Sequence, residues 1–258
     1  MSGFTEASSP PPPGQGCAAA SRETRAGTPG ERPLPLSAII PTLNAARVIG
    51  PTLATLAGQV AEIIIADGGS TDDIAALAAA AGARLVPSPR GRGPQIAAGV
   101  AASTQPWVLI LHADTRPGAG WAEAVARFMA DPAMAHRAGH FRFALDDPAP
   151  EARRLERWVA RRCRWFALPY GDQGLLIRRV LLDEVGGVRP LVLMADVDLV
   201  RRLGRARLAP LDVPFITSAE RWRAEGWRRR SARNLLCLAL WFAGVPPARI
   251  ARIYGRRR

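Results

Sequence analysis

The sequence predicts an α/β protein with a mostly parallel central sheet and helices on both faces. Segments of strand character and helix character alternate between residues 34 and 130, and the connections between them are short. Two of the strands, over 62–66 and 107–111, contain continuous apolar runs, as is typical of strands buried on both faces. Alternation of this kind predicts parallel strands that are joined by helical crossovers.

The individual elements follow from the apolar runs and from the residues that bound them. Strands are predicted over 36–40, 62–66, 84–87 and 107–111. Helices are predicted over 51–59, 72–81, 94–102 and 120–130. Pro51 suits the first turn of a helix, and Gly82 suits the position just after the end of one.

Beyond residue 150 the pattern becomes basic and more helical. One predicted helix carries an apolar stripe of Leu155, Trp158, Val159, Cys163 and Phe166. Arginines occupy much of the remaining surface, which indicates a basic amphipathic helix. Further strands are predicted over 175–177 and 213–217, and further helices after residue 196 and over 231–242.

Three parts of the chain differ in composition. Residues 1–33 are rich in Pro, Gly and Ser and poor in bulky apolar side chains, which predicts a disordered tail. Residues 34–230 contain the alternating α/β pattern and form the predicted main domain. Residues 231–258 form a predicted basic helical extension.

The net charge of +13 lies in the second part of the chain. All 35 basic residues are arginine, and residues 151–258 contain 24 of them with only 10 acidic residues. A protein that coats nucleic acid would not usually leave its larger part near neutral, so no nucleic-acid partner is expected. The basic part could instead contact the anionic inner face of a membrane.

The cysteines and the apolar runs indicate in which cellular compartment the protein is expected. The three cysteines lie far apart, which excludes a zinc ribbon and favours a reducing compartment. The first residues show neither the basic nor the apolar region of a secretory signal. The longest apolar run, over 235–245, is shorter than the roughly 20 residues that a membrane-spanning helix needs. A cytoplasmic location is therefore expected.

Polar clusters follow several of the predicted strands, where ligands of α/β sheets bind. Asp67 ends one strand and two glycines follow it, so its carboxylate could accept hydrogen bonds from a base or ribose, or the segment could be a plain turn with Ser70 as a helix cap. His112 and Asp114 follow another strand. A carboxylate there could hold Mg²⁺ or Mn²⁺, whereas His112 alone is better explained as a structural histidine.

Three weaker clusters complete the candidates. Arg90 and Arg92 stand among glycines at a predicted helix N-terminus, which suits a diphosphate but is also common in surface loops. Asp196 and Asp198 stand at another helix start, where they could merely complement the helix dipole. Asp172 lies between glycines just before a strand, where a polar side chain can reach a ligand.

Taken together, these motifs resemble those of the family 2 glycosyltransferases with the GT-A fold. The resemblance begins with Ile39-Ile-Pro-Thr-Leu-Asn44, Asp67-Gly-Gly-Ser-Thr71 and His112-Ala-Asp-Thr115. Later motifs resemble those of the radical-SAM/selenodomain-associated transferase 2 subgroup: Arg90-Gly-Arg92, Pro169–Gly174, Met194–Asp198, Thr217–Ala219 with Trp222, and Arg233-Asn234. The resemblance covers about residues 36–254.

The resemblance implies transfer of a sugar from a nucleoside-diphosphate donor, UDP- or GDP-linked, with inversion and with a divalent cation, Mn²⁺ or Mg²⁺. It places Asp114 and His112 at the metal and Asp196 as the catalytic base. The residues implied on the donor side are Pro41, Asn44, Asp67, Gly68, Arg90 and Gln95, and those on the acceptor side are Asp172, Gln173 and Trp222. The acceptor itself is left open, with a lipid-linked molecule as one candidate.

Two residues depart from the family pattern. His112 stands where the metal motif has its first aspartate, which lowers the negative charge available to a cation. Ala195 stands where a glutamate precedes the base. Two other classes of function stay open at this point: a nucleotidyltransferase, although the expected glycine-rich basic loop after the first strand is absent, and a membrane-surface binding protein with weakened catalysis.

Overall fold

The structure is a computed structural model that describes Gly3 and residues 32–255. The predicted tail over 1–33 lies almost entirely outside these residues. Eight strands form one sheet in the order β3-β2-β1-β4-β7-β6-β8-β5. The strands are β1 Leu34–Thr42, β2 Val60–Asp67, β3 Arg84–Pro87, β4 Trp107–Ile110, β5 Thr115–Pro117, β6 Ala138–Leu145, β7 Leu175–Arg178 and β8 Leu208–Thr217.

The sheet is mostly parallel, which confirms the predicted fold class. Strands β3, β2, β1 and β4 are mutually parallel, and β6 is parallel to β8. Strand β7 is antiparallel to both of its neighbours, and β5 is antiparallel to β8. The antiparallel β7 separates the parallel N-terminal half of the sheet from the half that the later chain adds.

Both faces of the central strands are buried. In β1, Leu36, Ala38 and Ile40 belong to one apolar core, whereas Ile39 belongs to the core on the opposite face. Strand β2 divides its isoleucines in the same way. This two-sided burial explains why the central strands are continuous apolar runs rather than alternating ones.

Ten helices surround the sheet within the described residues. They are α1 Ala46–Leu56, α2 Ile74–Ala80, α3 Arg92–Ala102, α4 Trp121–Ala130, α5 Pro150–Phe166, α6 Arg179–Glu184, α7 Ala195–Leu203, α8 Glu220–Glu225, α9 Trp227–Phe242 and α10 Pro247–Gly255. Over residues 32–255, each helix is too short or too polar to cross a lipid bilayer.

The first helix begins earlier than its proline predicts. Helix α1 starts at Ala46 and contains Pro51 in its interior, not at its first turn. The carboxylate of Asp72 accepts a hydrogen bond from the backbone N–H of Ala46 at 2.8 Å, and so caps the helix from a loop 26 residues away. A cap supplied by a distant segment leaves no signal near the start of the helix itself.

The last strand, β8, is longer than the strand predicted over 213–217, because prolines interrupt its strand pattern in the sequence. Strand β8 includes Pro210 and Pro214, although a proline normally argues against a central strand. The pairing of β8 with β6 shifts register between Phe141 and Arg142, where β8 contributes the extra residues. A proline has no N–H to donate to the neighbouring strand, so it interrupts the ladder of hydrogen bonds. The bulge accommodates this interruption.

The C-terminal helices pack together through ion pairs. Glu225, at the end of α8, pairs with Arg230 at 2.9 Å and also contacts Arg233, both on α9. Helix α9 begins at Trp227 and therefore spans the boundary expected at residue 230. The basic extension is thus continuous with a helix that starts within the main domain.

Two glycines provide a test of packing in the first half of the fold. A Cβ added to Gly93 would lie 2.4 Å from the Arg189 carbonyl oxygen and 2.5 Å from the Leu191 nitrogen, whereas a Cβ on the helical Gly50 meets nothing within 4 Å. We expect Gly93→Ala to lower the free energy of unfolding by about 1–3 kcal/mol. Gly50→Ala should raise it by about 0.5–1 kcal/mol. Urea denaturation measures both changes, and equal changes would contradict the packing described.

Candidate active site

The polar clusters that follow β1, β2 and β4 lie side by side at one edge of the sheet. These strands are adjacent and parallel in the order β2-β1-β4, so their carboxyl ends meet. Asp67 is the last residue of β2. Asn44 and His112 lie two residues beyond the ends of β1 and β4. This is the edge at which open α/β sheets bind their ligands.

Asp67 is held in place by a ring of hydrogen bonds. Its carboxylate accepts the backbone N–H groups of Ser70 at 2.8 Å and Gly69 at 3.1 Å, the Thr42 hydroxyl at 3.2 Å, and the Ser70 hydroxyl. Burial by itself would raise the pKa of Asp67, but these hydrogen bonds, led by those of Ser70, lower it below its ordinary value. The side chain is therefore a fixed anion at the end of β2.

The loops after β1 and β2 are joined to each other. Asn44 adopts a left-handed backbone conformation with φ of 51°. Its N–H donates to the Ser70 hydroxyl at 2.8 Å, and its side-chain oxygen accepts the N–H of Thr71 at 2.9 Å. The exposed Asn44 and the Asp67 carboxylate thus form one rigid wall of the edge.

Gln95 lies beneath this wall and supports it. The buried Gln95 amide donates to the backbone carbonyls of Thr42 and, at 3.2 Å, of Ala66, at the ends of β1 and β2. A Cβ on Gly68 would lie 2.9 Å from the Gln95 nitrogen, which explains the glycine. Gln95 therefore fixes the backbone at the ends of β1 and β2, and Gly68 leaves the space that the Gln95 side chain needs. Pro41, within β1, is partly buried at the same end.

The start of α3 differs from the phosphate cradle that the glycine-arginine run suggests. The N–H groups of Arg92 and Gly93 donate to the carbonyls of Val192 at 3.3 Å and Leu191 at 2.9 Å. Pro94 has no N–H, so the first turn has no amide left for a diphosphate. Arg90 is exposed, whereas the Arg92 guanidinium points into the site and contacts the His112 ring.

An imidazole and two carboxylates meet beside Arg92. His112 Nδ1 lies 2.6 Å from an oxygen of Asp172 and 3.9 Å from an oxygen of Asp114, and all three side chains are partly buried. Their potential metal-ligating atoms lie within 4.8 Å of one another. Asp172 thus lies with the two residues predicted to hold a metal rather than apart from them. Burial would raise the pKa of Asp172, but His112, Arg92 and Arg221 hold it well below its usual range.

The loop that carries Asp114 is fixed from two sides. The Thr52 hydroxyl of α1 donates to the carbonyls of Ala113 at 2.9 Å and Thr115 at 3.1 Å. Ser218, after β8, donates its N–H to the Asp114 carbonyl at 2.9 Å. The Arg221 guanidinium on α8 lies 3.9 Å from the Asp114 carboxylate. The C-terminal part of the chain therefore contributes a cation to the site.

Asp196 lies in the first turn of α7 and borders the same cleft. The cleft is also lined by Arg92, His112, Tyr170 and Gly171. A Cβ on Gly171 would lie 3.4 Å from Asp196 Oδ2 and 3.3 Å from His112 Cε1, so the glycine allows these groups to approach. The preceding Ala195 is fully buried.

Asp198 is engaged elsewhere, in a buried ion cluster. Its carboxylate contacts Arg189 at 3.1 Å and Arg202 at 2.8 Å, and only 7% of the residue is exposed. Arg202 also donates to the carbonyls of Val185 and, at 2.8 Å, of Gly187. Asp198 therefore holds the segment between α6 and α7 in place. The structure separates the two aspartates that the sequence left in competition.

Gln173 and Trp222 are both buried in packing. The Gln173 amide donates to the Phe141 carbonyl at 3.0 Å and accepts from Arg162 at 3.1 Å. Trp222 packs near Phe143 and Trp227, with 5% of its surface exposed. Neither side chain lines the cleft at Asp196. Their part in the site is to support the loop before β7 and the start of α8.

Sequence reasoning missed Arg221 and the position of Asp172 beside His112, and it left Arg90 and Arg92 as alternatives. Arg90 and Arg92 have the same local pattern, so only the turn of α3 decides which of them faces inward. Arg221 lies more than 100 residues from Asp114 in the chain, and no local signal joins them. The antiparallel direction of β7, which brings Asp172 to His112, has no signature in the alternation of elements.

The sheet topology and the polar groups at its carboxyl edge define an α/β protein of the GT-A type. Residues 37–191 match the family described as Glycosyl transferase family 2. This match spans more than half of the sequence, so the chain belongs to glycosyl transferase family 2. The predicted family is confirmed, and membership argues against a nucleotidyltransferase.

Curated relatives support the family over a shorter segment. An uncharacterised glycosyltransferase of Mycobacterium tuberculosis and one of Mycobacterium bovis are each 36% identical to the chain over 86 residues. The aligned segment covers 33% of this chain and 39% of each relative. The chain therefore spans well under half the length of the curated relatives that it matches.

Solved structures share the fold. Glucosyl-3-phosphoglycerate synthase from Mycobacterium tuberculosis, in complex with Mn²⁺, UDP and glucosyl-3-phosphoglycerate, is 19% identical, with a TM-score of 0.52 over 82% of this chain and 80% of that one. S. aureus TarS 1–349 with UDP-GlcNAc is 15% identical, with a TM-score of 0.54 over 85% and 70%. The radical-SAM/selenodomain-associated subgroup stays a prediction.

The different surroundings of Asp196 and Asp198 lead to a stability test. We expect Asp198→Asn to lower the free energy of unfolding by about 1–3 kcal/mol, since it removes the charge of a buried carboxylate that pairs with the largely buried Arg202 and the half-exposed Arg189. Asp196→Asn should change it by less than about 0.5 kcal/mol, because Asp196 has no ion-pair partner among the described residues. Thermal and urea unfolding measure both, and equal losses would contradict the separate roles.

Proposed function

We propose that the chain transfers a sugar from a nucleoside-diphosphate donor to an acceptor hydroxyl, with inversion at the anomeric carbon. The single observation that carries this proposal is the cleft in which Asp196 borders His112 and Arg92, next to Asp114 and Asp172. It provides a carboxylate base on one side of a reaction centre and cations with metal-ligating groups on the other. Family membership supports the same reaction class.

The fixed carboxylate of Asp67 and the exposed Asn44 form the nucleoside end of the proposed site. Ionised and already held by backbone N–H groups, Asp67 can accept hydrogen bonds from a uracil N–H or a ribose hydroxyl without reorganising. UDP is present in the solved structures of glucosyl-3-phosphoglycerate synthase, which favours a uridine donor over a guanosine donor here.

The residues at the centre of the site fit a divalent cation. Two carboxylates and one imidazole lie with their ligating atoms within 4.8 Å, and the imidazole nitrogen suits Mn²⁺ better than Mg²⁺, because Mg²⁺ strongly prefers oxygen ligands. Asp114, Asp172 and His112 would hold the ion. When bound, a cation there would neutralise charge on the donor diphosphate.

Arg92 and Arg221 complement the charge of the leaving group. As the bond between the anomeric carbon and the diphosphate oxygen breaks, its electron pair leaves with the diphosphate. The guanidinium groups on α3 and α8 lie beside His112 and Asp114, where they can stabilise that negative charge. Arg92 takes over the part that the resemblance gave to Arg90.

Asp196 accepts the proton of the acceptor hydroxyl in the proposed mechanism. As that oxygen attacks the anomeric carbon, its proton passes to the Asp196 carboxylate. The neighbouring Ala195 is fully buried, so Asp196 has no like charge beside it at the position where the family pattern has a glutamate. A single carboxylate is sufficient for one proton transfer.

Replacing the base is the direct test of this mechanism. We expect Asp196→Asn to lower turnover by 10²–10⁴-fold, about the usual effect of removing a general base, with little change in donor affinity. The matched control is Asp212→Asn, whose side chain is 97% exposed on β8 and which should leave turnover unchanged. Transfer or donor hydrolysis measures the rate, and an Asp196→Asn enzyme of full activity would disprove the assignment.

A second test separates the two roles open to Asp172. If Asp172 holds the cation, Asp172→Asn and Asp114→Ala should both weaken Mn²⁺-dependent UDP binding, by about tenfold or more. If Asp172 contacts only the acceptor, Asp172→Asn should bind UDP and Mn²⁺ like the parent protein. Calorimetry with and without Mn²⁺ distinguishes these results, and melting temperatures establish that each variant folds.

A further inference from the structure

Two helices carry most of the large apolar side chains exposed on the described part of the chain. Of nine such side chains over residues 32–255, six lie on α5 and α9. They are 47–68% exposed: Trp158, Trp165, Phe166, Leu235, Leu236 and Phe242. Exposed clusters of this kind mark interaction surfaces, since isolated apolar side chains would be scattered instead.

On α5 the two tryptophans share one face with arginines. Trp158 and Trp165 are seven residues apart, two helical turns, and Arg161 lies between them on the same side. Val159, which packs into the core, lies on the opposite side of the helix and is 8% exposed. The helix therefore presents an aromatic and cationic face to its surroundings rather than a purely polar one.

One segment of the chain contacts the ends of both α9 and α5. Arg201, near the end of α7, stacks on the ring of Phe242 at 4.9 Å. Arg205, four residues later and beyond the end of α7, donates to the Arg164 carbonyl at 3.1 Å, at the end of α5. The segment 201–205 thus contacts the ends of both α9 and α5. We call these exposed residues of α5 and α9, with their arginines, the aromatic–arginine face.

We propose that the aromatic–arginine face binds the surface of an anionic lipid bilayer. Tryptophan and phenylalanine side chains favour the headgroup region, and each arginine near an anionic surface adds to the attraction. The charge is complementary, since residues 151–258 contain 24 arginines and 10 acidic residues. The aliphatic Leu235 and Leu236 favour a lipid surface over single-stranded nucleic acid, which stacks its bases on aromatic rings.

The aromatic–arginine face is connected to the cleft through one arginine. Arg162, on α5, donates to the Leu168 carbonyl at 2.9 Å and stacks on the Tyr170 ring at 3.9 Å. Tyr170 lines the cleft, and Asp172 follows two residues later. If the proposed transfer reaction holds, this placement brings the loop before β7 near the bilayer, so the acceptor class that fits is a lipid-anchored hydroxyl.

Vesicle flotation of the full chain tests the bilayer contact without any sugar donor. The parent protein should float with vesicles of phosphatidylcholine and phosphatidylglycerol and remain unbound with phosphatidylcholine alone. Replacing both tryptophans, Trp158→Ser with Trp165→Ser, should reduce vesicle binding by about tenfold or more. The matched control Val180→Ser alters a side chain that is 63% exposed on α6 and should bind like the parent.

A second pair of variants tests the charge. Arg157→Gln with Arg161→Gln should reduce binding by about fivefold per arginine removed, whereas Arg127→Gln on α4 should not. Raised salt should weaken the parent's binding, because it screens the same attraction. Failure of the parent to float, equal binding to both vesicle types, or equal loss in the control variants would overturn the proposal.

Two further measurements keep this inference separate from the transferase proposal. UDP binding with Mn²⁺ should be unchanged in the tryptophan variant, which also establishes that it folds. If the parent protein fails to bind UDP with Mn²⁺, the proposed donor site is refuted, whereas the flotation result still stands. Binding of single-stranded RNA that depends on Trp158 and Trp165, without flotation, would assign the face to nucleic acid and refute the lipid proposal.

Discussion

The antiparallel pairing of β7 with β4 is the constraint on which the site depends. Ile110, the last residue of β4, pairs with Leu175, the first residue of β7. The residues that follow β4 must therefore meet those that precede β7, which places His112 against Asp172. A parallel β7 would have carried Asp172 to the opposite edge of the sheet. The juxtaposition of His112 and Asp172 is thus a consequence of strand direction, and the hydrogen bonds from Thr52 and Ser218 fix the loop of Asp114 beside them.

The cleft contains arginine and histidine side chains as well as carboxylates. Asp114 lies near Arg221, and His112 contacts both Asp172 and Arg92. His112 stands where the family pattern has an aspartate, and Ala195 stands where it has a glutamate. The cleft therefore has two carboxylates fewer than that pattern, beside its two arginines.

The first half of the fold could be predicted from the sequence because its information is local. Strand β2 is an apolar run that ends in Asp67, and the match between that pattern and the structure needs no distant contact. The start of α1 could not be found in this way, since its cap is Asp72. Asp67, Asp114 and Asp196 were identifiable from motifs, whereas Arg221 reaches the site only through the packing of α8 after β8.

The first turn of α3 has a consequence for the end of the catalytic cycle. Its N–H groups are occupied by the carbonyls of Leu191 and Val192, so the backbone offers no fixed cradle for a diphosphate. In a transferase of this design, the cations that face the leaving group are carried by rotatable side chains on two separate helices. A guanidinium can turn away while its helix stays in place. Departure of the spent nucleotide would then require side-chain rotation rather than the opening of a loop.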